Sequence, residues 1–102
     1  VDGDTLDVGS YRIRLALVDT PESGESGYAE AKAFTAAKCP VGTTALVDED
    51  DGQTGGSYGR VIAALSCGGA NLNAALLEAG LAVPVNSYCG VSEFANDAWS
   101  AC

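Results

Sequence analysis

The sequence predicts an α+β fold that is mainly β, a small closed barrel of five strands with helices packed against its outside. Three observations carry that prediction. Strand-like apolar alternation opens the chain, a long hairpin pattern occupies its middle, and helical spacing is confined to short segments beside them. Five strands are too few for a β-sandwich, and βαβ units would need more helices between strands. A chain of 102 residues has room for one modest core, so residues 1–102 are read as one domain.

Val1-Asp2-Gly3 reads as the middle of a strand, so further residues are expected upstream. Thr5–Val8 and residues 11–18 are two strands joined by the turn Gly9-Ser10. In the second strand Tyr11, Ile13, Leu15 and Leu17 share one face while Arg12 and Arg14 lie on the other. Asp19-Thr20-Pro21-Glu22 ends it, because Pro21 has no amide hydrogen and biases Thr20 toward an extended backbone. After a polar loop, alanines give Tyr28–Lys38 its helix propensity, and Tyr28, Ala31, Phe34 and Ala37 supply an apolar face. Cys39-Pro40 stops that helix. Residues 43–47 form a strand, 48–57 an acidic, glycine-rich loop read as a solvated hairpin tip, and 59–67 the return strand. Asn71 caps a helix over 72–79 with Gly80 as its left-handed stop, and residues 81–83 are the last strand. Ser92 looks like the cap of a terminal helix through Trp99. An OB-type five-stranded barrel with three peripheral α-helices fits this order best.

Composition narrows the chemistry. No histidine is present, which excludes Ser-His and Cys-His nucleophile pairs and histidine-ligated zinc. Lys+Arg is 5 against Asp+Glu of 14, a formal charge of −9 that by itself argues against a polyanion as partner. The longest stretch without a charged side chain, residues 61–77, is broken by Ser66, Gly68, Gly69, Asn71 and Asn73, so no membrane span is expected. Cys39, Cys67, Cys89 and Cys102 are far apart with no C-x-x-C pair. Two disulfides in an exported protein are therefore expected ahead of a zinc site or buried thiols, with three connectivities open.

Reactive residues concentrate in three segments, Asp2-Gly3-Asp4-Thr5, residues 14–22 and Tyr58-Gly59-Arg60. Each has an ordinary reading alone: a turn, a solvated sheet face, a strand start. Together they place two arginines beside acids. If Asp4 and Asp19 end neighbouring strands, their carboxylates can converge on a hard cation, for which calcium is the natural candidate. Arg14 and Arg60 offer forks to phosphate oxygens, and Glu22 can accept a proton from an attacking water. The set is suited to phosphodiester hydrolysis. Asp48-Glu49-Asp50-Asp51 lacks the ligand spacing of an EF-hand loop.

Taken in order, Asp2-Gly3-Asp4-Thr5, Arg14-Leu15 through Val18-Asp19-Thr20-Pro21-Glu22, Glu30-Ala31-Lys32-Ala33-Phe34-Thr35, Tyr58-Gly59-Arg60, Asn73, Ala75-Leu76 and Gly80-Leu81-Ala82 match motifs of a known family. The sequence resembles the staphylococcal nuclease (thermonuclease) family over essentially its whole length. The resemblance implies the OB-type barrel with three helices and calcium-dependent cleavage of DNA and RNA to 3′-phosphate ends. It implies that Asp4 and Asp19 ligate Ca2+ through carboxylates and Thr20 through its carbonyl. Glu22 would be the general base, Arg14 and Arg60 would stabilise the transition state, and Tyr58 and Tyr88 would contact substrate. Set on that family's topology, Cys39 pairs with Cys67 and Cys89 with Cys102. A secreted monomer acting on DNA and RNA is implied, and a catalytically weak or inactive OB-fold nucleic-acid-binding module is the alternative.

Three departures stand out. Ser57 replaces a lysine of the family's best-known member, the loop after Glu22 is shortened to Ser23-Gly24-Glu25-Ser26-Gly27, and Asn86 replaces a tyrosine. These bear on substrate affinity. Repulsion of a polyanion by the −9 chain fades in brine, where the screening length falls to about 3 Å at 1 M salt, so either activity at high salt or a basic tail beyond these residues is expected.

Overall fold

The computed structural model describes residues 2–54 and 60–102. Its architecture is mixed α+β. Strands β1 (Thr5–Val8) and β2 (Tyr11–Leu15) form the expected hairpin, with Gly9 at φ 58° in the turn. β2 runs parallel to β5 (Val61–Cys67), which pairs antiparallel with β4 (Ala45–Glu49) and with the short β6 (Ala70–Asn71). The order is β1-β2-β5-β4, with β6 also on β5.

Among the described residues this sheet does not close into a barrel, and the reason lies in the strand expected over residues 11–18. Leu17 adopts φ 61°, a left-handed conformation that costs an L-residue about 1–2 kcal/mol. The chain bends there. β3 (Val18–Asp19) leaves the main sheet to pair with β7 (Val83–Pro84). The expected single apolar face is lost with the bend: Tyr11 is exposed, whereas Ala16, Leu17 and Val18 are all buried.

Helices α1 (Tyr28–Lys38) and α2 (Leu72–Glu78) form as expected, and Asn71 caps α2 by accepting from the Ala74 amide. On α1 the buried face is Ala31 and Thr35, with Ala37 exposed, because the Thr35 hydroxyl donates to the Gly3 carbonyl at 2.6 Å. The expected third helix is absent. Residues 92–99 hold only turns and the start of a 3-10 turn at Ala98–Ser100. The Ser92 hydroxyl accepts from the Phe94 amide as a cap would, but its own proton goes to Asp50.

That bond corrects the reading of the acidic segment as a solvated tip at Asp50, while Asp48, Glu49 and Asp51 are exposed as expected and residues 55–57 lie outside the described residues. β4 extends through Asp48 and Glu49, and Asp50 behind them is fully buried. Besides Ser92, Asp50 accepts from the amides of Gly52 and Glu93 and from the Gln53 side chain. Burial pushes its carboxyl up, yet these donors outweigh burial and hold it below the usual range. Gly52 is required here, since a Cβ on it would lie 1.6 Å from the Val91 carbonyl oxygen.

Ile13, Leu15, Val18, Leu65, Leu72 and Leu76 form the main core, and Ala16, Leu17, Ala64 and Phe94 a second cluster. Cys39 is bonded to Cys67 and Cys89 to Cys102. The first bond ties the end of α1 to β5, and the second ties the segment after β7 to residue 102. Two disulfides fit an oxidising compartment. Among the described residues, no helix is long and apolar enough to cross a membrane.

Candidate active site

The bend at Leu17 does more than open the sheet. On either side of the bend, the carbonyls of Leu15 and Val18 both accept from Arg14 Nη1 at 2.6 Å. Nη2 then lies 3.6 Å from Asp4 Oδ2 and 3.6 Å from Asp19 Oδ1. The bend itself is bolted by Asn73, which is fully buried on α2. Its amide donates to the carbonyls of Ala16 and Ala63 and accepts from the Leu65 amide.

Asp4 sits on the segment leading into β1, where it accepts from the Thr20 amide at 3.1 Å and the Thr5 hydroxyl at 3.2 Å. Close approach of that segment to α1 requires glycine at position 3, because a Cβ would lie 2.9 Å from both the Ala31 Cβ and the Thr20 Oγ1. Tyr28 at the start of α1 donates to Asp2 from the other side. Asp19 is half exposed. Burial raises its pKa, Arg14 counters that, and the neighbouring Asp4 and Glu25 charges raise it further.

Asp4, Asp19, Glu22, Arg14 and Arg60 thus line one polar depression of about 210 Å³, together with Asp2, Thr20 and Pro21. Arg14 and Arg60 also line an adjoining cleft of about 200 Å³ with Gln53, Val85 and Tyr88. The two guanidiniums stand between acids on one side and an exposed tyrosine on the other. Tyr58 lies outside the described residues.

Among the described residues no three acidic or cysteine side chains converge as a ready metal cluster. The donor set nevertheless fits a hard cation. Asp4 and Asp19 approach closely enough to raise the Asp19 pKa, an arrangement that a bound cation relieves. Beside them the buried Thr20 Oγ1 makes no hydrogen bond within the protein, and carbonyls and waters are ordinary calcium ligands.

In the sequence the charged residues stand out by motif and spacing, whereas other residues that line the adjoining cleft or fix Glu22 do not. Gln53, Val85 and Glu25 had no motif to mark them. Glu25 accepts the Glu22 amide at 2.6 Å while its own amide donates back to the Glu22 carbonyl, a tight turn that fixes where Glu22 sits.

Comparison with curated proteins gives no match. A family model described as staphylococcal nuclease homologue matches residues 12–98, which takes in Arg14, Asp19, Thr20, Glu22, Arg60 and Tyr88 and leaves Asp4 upstream. With most of its length matched and its arginines and acids drawn into one depression, the chain belongs to the staphylococcal nuclease homologue family.

Proposed function

We propose that this nuclease-family domain is a calcium-dependent phosphodiesterase, exported and monomeric, that cleaves DNA and RNA to 3′-phosphate ends. The observation that carries the reading is the shared depression, in which two guanidiniums, Asp4, Asp19 and Glu22 face one another.

Arg14 Nη1 is committed to two carbonyls, and Nη2 stands beyond hydrogen-bond length from both carboxylates. Its remaining donor edge is therefore held in place for a phosphate oxygen before substrate arrives. Arg60, across the same depression, supplies a second fork. Glu22, at the exposed rim, takes the proton of the attacking water. The 5′ oxygen leaves as the phosphorus–water bond forms. Asp4, Asp19 and the Thr20 carbonyl would hold Ca2+, which when bound neutralises phosphate charge. Tyr88 offers its ring to a base beside the phosphate, and the family resemblance assigns Tyr58 to a nearby phosphate.

Oxidised protein is incubated with single-stranded DNA and millimolar calcium or a chelator. Calcium-dependent fragments ending in 3′-phosphate are expected, with turnover by Glu22→Gln lower by several orders of magnitude at an unchanged melting temperature. Near-wild-type turnover by that variant would overturn the assignment of Glu22. Binding without cleavage would favour the inactive-module reading.

A further inference from the structure

A third cleft is larger than both the acid depression and the one beside Tyr88. It has a volume of about 500 Å³ and shares Asp19, Thr20 and Pro21 with the acid depression. Its wall is formed by Leu81, Ala82 and Val83, and its rim by Glu25 and Ser26 of the shortened loop. This size falls within the ~300–1,000 Å³ of small-molecule sites.

Three depressions therefore adjoin, with the acid one in the middle. It shares both arginines with the Tyr88 cleft, and Asp19, Thr20 and Pro21 with the large one. A nucleic-acid strand has the same order around any one phosphate: nucleoside, phosphate, nucleoside. The charges of the large cleft select among its parts. Among the described residues no lysine or arginine lines it, while Glu25, which is not one of the proposed calcium ligands, does, so a phosphate is repelled and an uncharged base and sugar are accepted.

We infer that this cleft seats the nucleoside on the opposite side of the scissile phosphate from Tyr88, with its apolar face against Leu81, Ala82 and Val83. The seat rests on the phosphodiesterase reading above and extends it. The short loop after Glu22 is part of the seat as well as part of the catalytic turn, since Glu25 and Ser26 follow directly from the Glu22 turn.

Ser26→Phe and Ala82→Phe fill the cleft from opposite walls, and Ser26 is exposed, so at least that variant folds. Their kcat/KM is measured on a dinucleoside monophosphate and on two nitrophenyl esters, one of a nucleoside 3′-phosphate and one of a nucleoside 5′-phosphate. Both variants are expected to lower the dinucleotide and one ester by about tenfold relative to the other ester, with Tyr88→Ala depressing the complementary ester. Equal effects on all three substrates, or none, overturn the seat and leave the nuclease reading standing. Binding of the dinucleoside monophosphate to Glu22→Gln, followed by amide NMR, separates the two further. Shifts at Ser26, Ala82 and Val83 support the seat even if no variant cleaves anything, an outcome that would sink the hydrolytic reading instead. Shifts confined to the Tyr88 side, or no shifts, overturn the seat.

Discussion

Arg14 has one nitrogen committed to two carbonyls and the other poised between two carboxylates. Lysine carries the same charge but has no planar fork, so it cannot hold both carbonyls and still present a directed donor edge. Arg14→Lys is therefore expected to lower kcat by about 10²–10³, measured by steady-state cleavage of DNA. Retention of more than a tenth of wild-type kcat would refute that role. Asp50 makes its prediction through stability. Its folded pKa lies below the ordinary value, so its contribution is present above about pH 3.8 and is lost as pH falls through the folded value. Asp50→Asn leaves donors from Ser92, Gly52 and Glu93 poorly matched and is expected to cost about 2–4 kcal/mol at neutral pH. Thermal melts from pH 2 to 7 should show the gap between variant and wild type narrowing below about pH 4. A gap that stays constant with pH would mean the buried carboxyl carries no charge.

At the level of elements, what was legible in the sequence was what is local. The β1–β2 hairpin, α1 and the Asn71–Gly80 limits of α2 each declare themselves within a few residues, through a turn, alanines, a cap or a glycine. The failures share a long reach. Ser92 looks like a helix cap until Asp50, 42 residues back along the chain, takes its proton, and Leu17 carries no mark of the left-handed backbone that ends β2. The candidate site was legible as a set of charged residues because spacing and motif announce them, while Asn73 appeared only as a motif match, with its bolting role hidden. Asn73→Leu preserves volume and strands the carbonyls of Ala16 and Ala63 and the amide of Leu65 in the core. A loss of about 2–5 kcal/mol is expected from urea unfolding, together with a fall in kcat, because the bolt sets the bend that aims Arg14. A fall in stability with kcat intact would disconnect α2 from the site.

For the molecule as a whole, the governing quantity is its charge of −9. Part of that charge gathers on one side: the hydrogen bond from the Asp51 amide lowers the pKa of Glu93, but loss of solvent and then the charges of Asp48, Asp51 and Asp50 raise it overall. A polyanionic substrate must approach this field. Screening shortens from about 10 Å at 0.1 M to about 3 Å at 1 M salt, so KM for DNA is expected to fall as salt rises across that range. A KM that climbs steadily would place the dominant substrate contacts on cations, as in ordinary nucleic-acid binders.

The left-handed Leu17 also assigns work to a part of the chain outside the candidate site. Its side chain lies in one apolar cluster with Phe94, on the segment that Asp50 clamps and that follows the Cys89–Cys102 staple's first cysteine. The arginine's line of sight is thus propped from the carboxy-terminal end. Trimming or splicing that end would disturb the aim of Arg14 without removing any charged residue that lines the depression.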